Sequence, residues 1–156
     1  MYDPQAELKI ENKLIGENHP TYFIADIASN HDGDLERAKA LIYLVKEAGA
    51  DAAKFQHFKA DTIVSDYGFR LLGDKKSHQA SWGKSVVEVY KDASVSKHWT
   101  ESLKQTCEKA GIAFFTSPYD FDLVDHIDPY VAAFKIGSGD ITWKQSIEQM
   151  ASLGKP

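Results

Sequence analysis

Two lysines stand inside apolar runs: Lys54 in Ala52-Ala53-Lys54-Phe55-Gln56, and Lys135 in Val131-Ala132-Ala133-Phe134-Lys135-Ile136-Gly137-Ser138-Gly139-Asp140. An ammonium on a buried strand loses its hydration, which is tolerated only beside an anion or with a shifted pKa. Two of them at matching positions point to a pocket for a strongly anionic ligand. Strand parity extends the set, because alternate residues share a face. Lys54 and Gln56 then point with Ala52, away from Phe55, and Lys135 points with Ala133, away from Phe134 and Ile136. Ile24, Asp26 and Ala28 share one face of an earlier strand, and Ala113, Phe115 and Ser117 share one face of a later strand. Asp26, Lys54, Gln56, Ser117 and Lys135 can thus converge at the carboxyl ends of neighbouring strands, where barrel enzymes carry their active sites. Gly137-Ser138-Gly139 ahead of a helix at Thr142 or Trp143 has the make-up of an anion-binding nest.

Each residue also has a structural reading. Either lysine can snorkel to solvent at a strand end, although two at matching positions argue against it. Asp26 can serve only to neutralise Lys54, Ser117 before Pro118 can simply make a turn, and Asp140 or Thr142 can be a helix N-cap. His31 and His57 near strand ends suit either a hydrogen-bonded structural group or a ligand, and no two histidines have metal-ligand spacing.

The elements that must hold these residues alternate regularly. Leu35, Ala38, Leu41, Ile42, Val45 and Ala48 follow helical spacing, with Asp34 as N-cap and Gly49 as the stop. Strands are expected over 22–28, 51–58, 112–117 and 131–137, and helices over 96–110, near 120–125 and over 143–153. Cys107 shares the core face of the second long helix with Trp99, Leu103 and Ala110. Strands separated by helices run parallel through right-handed crossovers, which leaves a doubly wound sheet or an eight-unit barrel. Residues 8–16 suggest a hairpin turning at Glu11-Asn12-Lys13. Between Lys59 and Ala93 no helical period is evident, so a long connection is expected there. Its Tyr67, Arg70, His78, Trp82 and Tyr90 could close over a ligand or merely pack among themselves.

Composition narrows the class. The 156 residues, 43% hydrophobic and 26% charged, suit one globular domain. With 23 acids against 18 bases, a net charge of -5 gives no basic surface for nucleic acid. One cysteine, Cys107, allows no intrachain disulfide, and no apolar run reaches a membrane span or resembles a signal peptide. The expectation is a cytoplasmic protein that binds neither nucleic acid nor membrane.

Four stretches in order carry a resemblance: 24–34 (Ile-Ala-Asp-Ile-Ala-Ser-Asn-His-Asp-Gly-Asp), 47–56 (Glu-Ala-Gly-Ala-Asp-Ala-Ala-Lys-Phe-Gln), 115–119 (Phe-Thr-Ser-Pro-Tyr) and 135–140 (Lys-Ile-Gly-Ser-Gly-Asp). Together they closely resemble the barrel of the N-acetylneuraminate (sialic acid) synthase family, over roughly 22–156. The resemblance implies an α/β fold of TIM type, a (β/α) barrel of which residues 1–156 supply the first four β/α units as a half barrel. It implies condensation of phosphoenolpyruvate with an N-acetylated amino sugar such as N-acetylmannosamine, giving a nine-carbon sugar acid and phosphate. By resemblance Lys54, Gln56, Ser117, Lys135 and Ser138 bind the substrate. Asp26 and Asp140 act as acid/base or orienting groups at positions where the family commonly has glutamate, one methylene longer.

The family also implies a divalent metal, often manganese, held by ligands expected beyond residue 156, and a homodimer in the full-length form. The fragment is expected to be inactive alone and to self-associate through open sheet edges. The same motifs serve legionaminic and pseudaminic acid synthases, so the sugar stays open. Two other readings compete: a Schiff-base aldolase with Lys135 as nucleophile, and a non-catalytic anion-binding or assembly remnant.

Overall fold

Parallel hydrogen bonding joins β3 (Ile24–Ala28), β4 (Ala52–His57) and β5 (Ala113–Pro118), in the order β3-β4-β5. The computed structural model describes residues 6–72 and 83–156. Ahead of the sheet, β1 (Leu8–Ile10) and β2 (Lys13–Ile15) pair antiparallel as the expected hairpin. Between the strands run α1 (Leu35–Glu47) and α5 (Thr100–Ala110), and after β5 come α6 (Phe121–Ile127) and α7 (Lys144–Ser152).

Local sequence explains where these helices start and stop. Asp34 caps α1 by accepting the amide protons of Glu36 and Arg37 at 2.8 and 3.2 Å. Gly111 ends α5 at φ 71°, a left-handed conformation that glycine enters without the clash of a side chain.

Alternation along the strands sorts two cores. Ile27, Ala53, Phe55 and Phe114 face the helices, where Ala38 and Ile42 of α1 and Leu103 and Cys107 of α5 complete one buried layer. Full burial of such aliphatic or aromatic side chains is worth roughly 1.5–3 kcal/mol each, so this layer sets the orientation of the sheet. The opposite face carries Ala52, Ala113, Phe115 and Ala133, and Ile10 of the hairpin packs on it. Phe115 is large yet points inward because Tyr22 covers it, ring centroids 6.4 Å apart. The hairpin therefore plugs the amino-terminal end of the inner face and leaves the carboxyl end for polar groups.

Three expectations are corrected. Residues 131–137 run beside the sheet, with Val131 in the helix-side core and Ala133 in the inner one, but form no strand ladder with β5. Their Phe134 amide instead donates to the Pro156 carbonyl at 2.7 Å. Residues 59–93 are not featureless, since they hold α2 (Ala60–Ile63), α3 (Asp66–Leu72) and α4 (Val86–Ala93). The first two are too short, at 4 and 7 residues, to show a period, while a Ser85–Glu88 capping box starts the third. Finally, α7 begins after Trp143 without a side-chain cap, so neither Asp140 nor Thr142 is its N-cap. His78 and Trp82 lie outside the described residues.

Candidate active site

Register brings the polar side chains together. Asp26 pairs with Lys54, Lys54 with Phe115, and Gln56 with Ser117 along the β3-β4-β5 ladder. A register shift after Asp26, with Ala28 at φ 50°, bends the end of β3 as the chain turns towards α1. Lys54 is 7% exposed and its Nζ meets Asp26 Oδ1 at 2.8 Å. Asp26 is more open, so the lysine's charge is buried on a face whose counter-ion sits at the rim. Ser117 is buried and Gln56 half-buried beside it.

Tyr119 ties these groups to the turn that follows Lys135. Its hydroxyl shares a hydrogen bond with the Ser117 side chain and lies 3.5 Å from the Gln56 amide nitrogen, at the outer limit of a hydrogen bond. Burial raises the phenol's pKa, the nearby Asp140 and Asp26 carboxylates raise it further, and the Ser117 bond opposes them. Below the ring, a Cβ on Gly137 would lie 3.0 Å from Tyr119 Cε1 and 2.5 Å from Asp140 Oδ2. Glycine is needed there for close approach. Residues 138–140 form one 3-10 turn, closed by the Asp140 amide on the Gly137 carbonyl at 3.0 Å.

The sequence-derived set is thus only partly assembled. Asp26 meets Lys54, Gln56 and Ser117 meet Tyr119, and Asp140 lies close to that phenol. Lys135 is half-buried and its ammonium donates to the neighbouring Ile136 carbonyl; Ser138 is exposed in the turn. Among the described residues no hydrogen bond or ion pair joins either of them to the cluster. Tyr119 is the residue that side-chain chemistry alone missed. Its position immediately after Ser117-Pro118 at a strand end was the available signal.

On the other face, His57 organises the ends of the same strands. Its Nδ1 pairs with Thr116 Oγ1 at 2.7 Å and its Nε2 with Thr100 Oγ1 at 2.9 Å, and Thr100 Oγ1 lies 3.0 Å from His126 Nε2. Because His57 follows Gln56 and Thr116 precedes Ser117, this chain pins both site residues to α5 and α6. Burial pushes the His57 pKa down to about 3, with the His126 and Lys97 charges adding to it. His31 is equally buried; its Nδ1 accepts the Gly33 amide proton at 3.1 Å and its ring meets Trp99 edge to face. His57 is thus a hydrogen-bonded structural group, whereas the buried Nε2 of His31 has no hydrogen-bond partner among the described residues. Tyr90 reaches the rim of the site through Phe58, which stands between it and Tyr119 with centroids 5.5 and 6.5 Å away. Tyr67 and Arg70 are exposed, the latter paired with Asp66.

Among the described residues no three His, Cys, Asp or Glu side chains gather as a metal set.

The chain is 35% identical over 151 residues to an uncharacterized protein of Methanocaldococcus jannaschii, covering 96% of this chain and 40% of that protein. It is 34% identical over 145 residues to the N-acetylneuraminate-9-phosphate synthase of Homo sapiens, covering 92% and 40%. The chain therefore spans about 40% of the length of these curated relatives. Among solved structures it is similar to the N-acetylneuraminic acid synthetase of Leptospira borgpetersenii, crystallised with citrate, at a TM-score of 0.78 and 29% identity over 96% of this chain and 47% of that one. The parallel sheet and its helices are accordingly part of a TIM-type (β/α) barrel. A model described as the NeuB family matches residues 41–156, which hold Lys54, Gln56, Ser117 and the 135–140 stretch, and the chain belongs to that family.

Proposed function

We propose that this chain is the phosphoenolpyruvate-binding portion of a synthase that condenses phosphoenolpyruvate with an N-acetylated amino sugar, such as N-acetylmannosamine. The product is a nine-carbon sugar acid, and phosphate is released. One observation carries the reading: a buried ammonium, Lys54, faces the inner carboxyl end of the sheet with its only described counter-ion at the solvent rim. An anion entering there gains a charge-assisted bond whose desolvation is already met by the fold.

Phosphoenolpyruvate presents a carboxylate and a phosphate on three carbons. Lys54 and Ser117 would take one end, and Lys135 and Ser138, on the neighbouring segment, the other, after Lys135 leaves the Ile136 carbonyl. Gln56 would orient the enol between them. Asp26 would hold Lys54 in place, and Asp140 would accept or return a proton as water adds at the carbon that carries the phosphate. Fixed positive charge at that end favours departure of phosphate. A divalent metal in the family would polarise the sugar aldehyde. The described residues do not form its site, so no step here runs through it.

Residues 1–156 alone are proposed to bind without turnover. The test is a chimera in which they replace the matching part of a curated synthase, assayed for phosphate release with phosphoenolpyruvate, N-acetylmannosamine and manganese. Phosphate release that requires both substrates and is lost in Lys135→Ala is the expected result. A cooperatively melting chimera with no release contradicts it. Borohydride with pyruvate checks the imine alternative, since the proposed route leaves Lys135 unmodified.

A further inference from the structure

We propose that Tyr119 is a positioning residue of this site: its neutral hydroxyl sets Ser117 to meet the anion that Lys54 attracts and screens that anion from the flanking carboxylates. The inference rests on the phosphoenolpyruvate reading above and concerns a residue outside the substrate-binding set named there.

The half-buried phenol is held through its backbone and by neighbours on two sides. Its backbone amide donates to the His57 carbonyl at 3.0 Å, which carries the β4-β5 ladder one step past Pro118. Phe58 meets one side of the ring at 72°, and Gly137 lies so close that any side chain there would collide with it. These contacts place its hydroxyl beside Ser117, Gln56 and Asp140.

That place poses an electrostatic problem. A phosphate or carboxylate bound beside Lys54 and Ser117 has Asp26 and Asp140 near it, and like charges in a partly buried site repel strongly. A phenol supplies a hydrogen-bond donor there without adding a charge, and both carboxylates favour its protonated form. Phenylalanine would keep the packing against Phe58 and Gly137 but lose the donor. Ser117 would then keep a hydroxyl with no partner to orient it.

The experiment is calorimetric titration of phosphoenolpyruvate into the 156-residue chain, in four forms: wild type, Tyr119→Phe, Ser117→Ala and the double variant. Lys54→Met serves as the control for the site itself. The expected result is a roughly 5- to 20-fold weaker affinity for Tyr119→Phe with a melting temperature within about 3 °C of wild type. The double variant should bind within about twofold of Ser117→Ala alone, because the two groups act as one. A merely structural role would lower the melting temperature and leave that coupling at zero. Wild-type affinity in Tyr119→Phe while Lys54→Met fails to bind overturns this inference and leaves the parent reading standing. Losses that multiply in the double variant also overturn it. Absence of binding by the wild type overturns both.

Discussion

Lys54 Nζ lies 2.8 Å from Asp26 Oδ1 on the facing strand, and the two differ in solvent access: the lysine side chain is 9% exposed and the aspartate 54%. Removing the acid leaves a buried ammonium without its counter-ion, whereas removing the lysine leaves a carboxylate that water can reach. Asp26→Asn is expected to cost about 1–3 kcal/mol and Lys54→Met less than about 1 kcal/mol in urea unfolding. The reverse order would show that the pair is governed by something other than desolvation of the lysine.

The buried histidine makes stability depend on pH. His57 titrates near 6.5 when unfolded and is pushed down to about 3 in the fold, so the unfolded chain binds the extra proton between those values. Stability is complete above pH 6.5 and falls as pH drops towards 3, by about 2 kcal/mol between pH 7.5 and 5. Burial lowers His31 and His126 as well, which acts in the same direction. Denaturant melts at the two pH values check it, and equal midpoints with equal slopes would count against the buried neutral imidazole.

Gly137 tests the close approach of the 137–140 turn to Tyr119. A methyl at this position has only 2.5 Å to Asp140 Oδ2 and 3.0 Å to the tyrosine ring. Gly137→Ala should therefore destabilise by about 1–3 kcal/mol through overpacking. Gly139→Ala meets no atom within 4 Å of its new methyl and serves as the control. Equal melting temperatures for the two variants would place the turn elsewhere.

Much of this was legible beforehand, and the reason is strand parity. Ala52-Ala53-Lys54-Phe55-Gln56 alternates cleanly, so the inner placement of Lys54 and Gln56 followed from period alone, as did the outer placement of Phe55. Asp34 and Gly111 marked helix boundaries because a side-chain cap and a left-handed residue each act within a few positions. The fourth strand failed as a ladder because pairing is a tertiary matter: Phe134 found the Pro156 carbonyl instead of β5, which no local pattern encodes. Short helices such as Ala60–Ile63 escaped because one turn has no period. Tyr119 escaped because its role depends on Gly137, a contact made only once the strands are assembled.

Cys107 offers a probe of the helix-side core. It is fully buried on the core face of α5, and burial pushes its thiol pKa up to about 12. Native protein should react with a thiol reagent orders of magnitude more slowly than urea-unfolded protein. Fast reaction in the native state would mean that α5 separates readily from the sheet.

The open edge of β3 bears on solution behaviour. Phe23 and Ile24 are exposed beside a strand that pairs only with β4 among the described residues. Self-association that grows with concentration is expected in sedimentation velocity. A single monomeric species at all concentrations, melting cooperatively, would contradict this.

The most direct test is whether the isolated chain holds phosphoenolpyruvate at all. Titration at pH 7.5 should give saturable binding with a Kd near or below about 1 mM, worth about 4 kcal/mol, and Lys54→Met should abolish it without unfolding the protein. No saturable binding by the folded wild-type chain, or undiminished binding by Lys54→Met, would contradict an anion site built around this lysine.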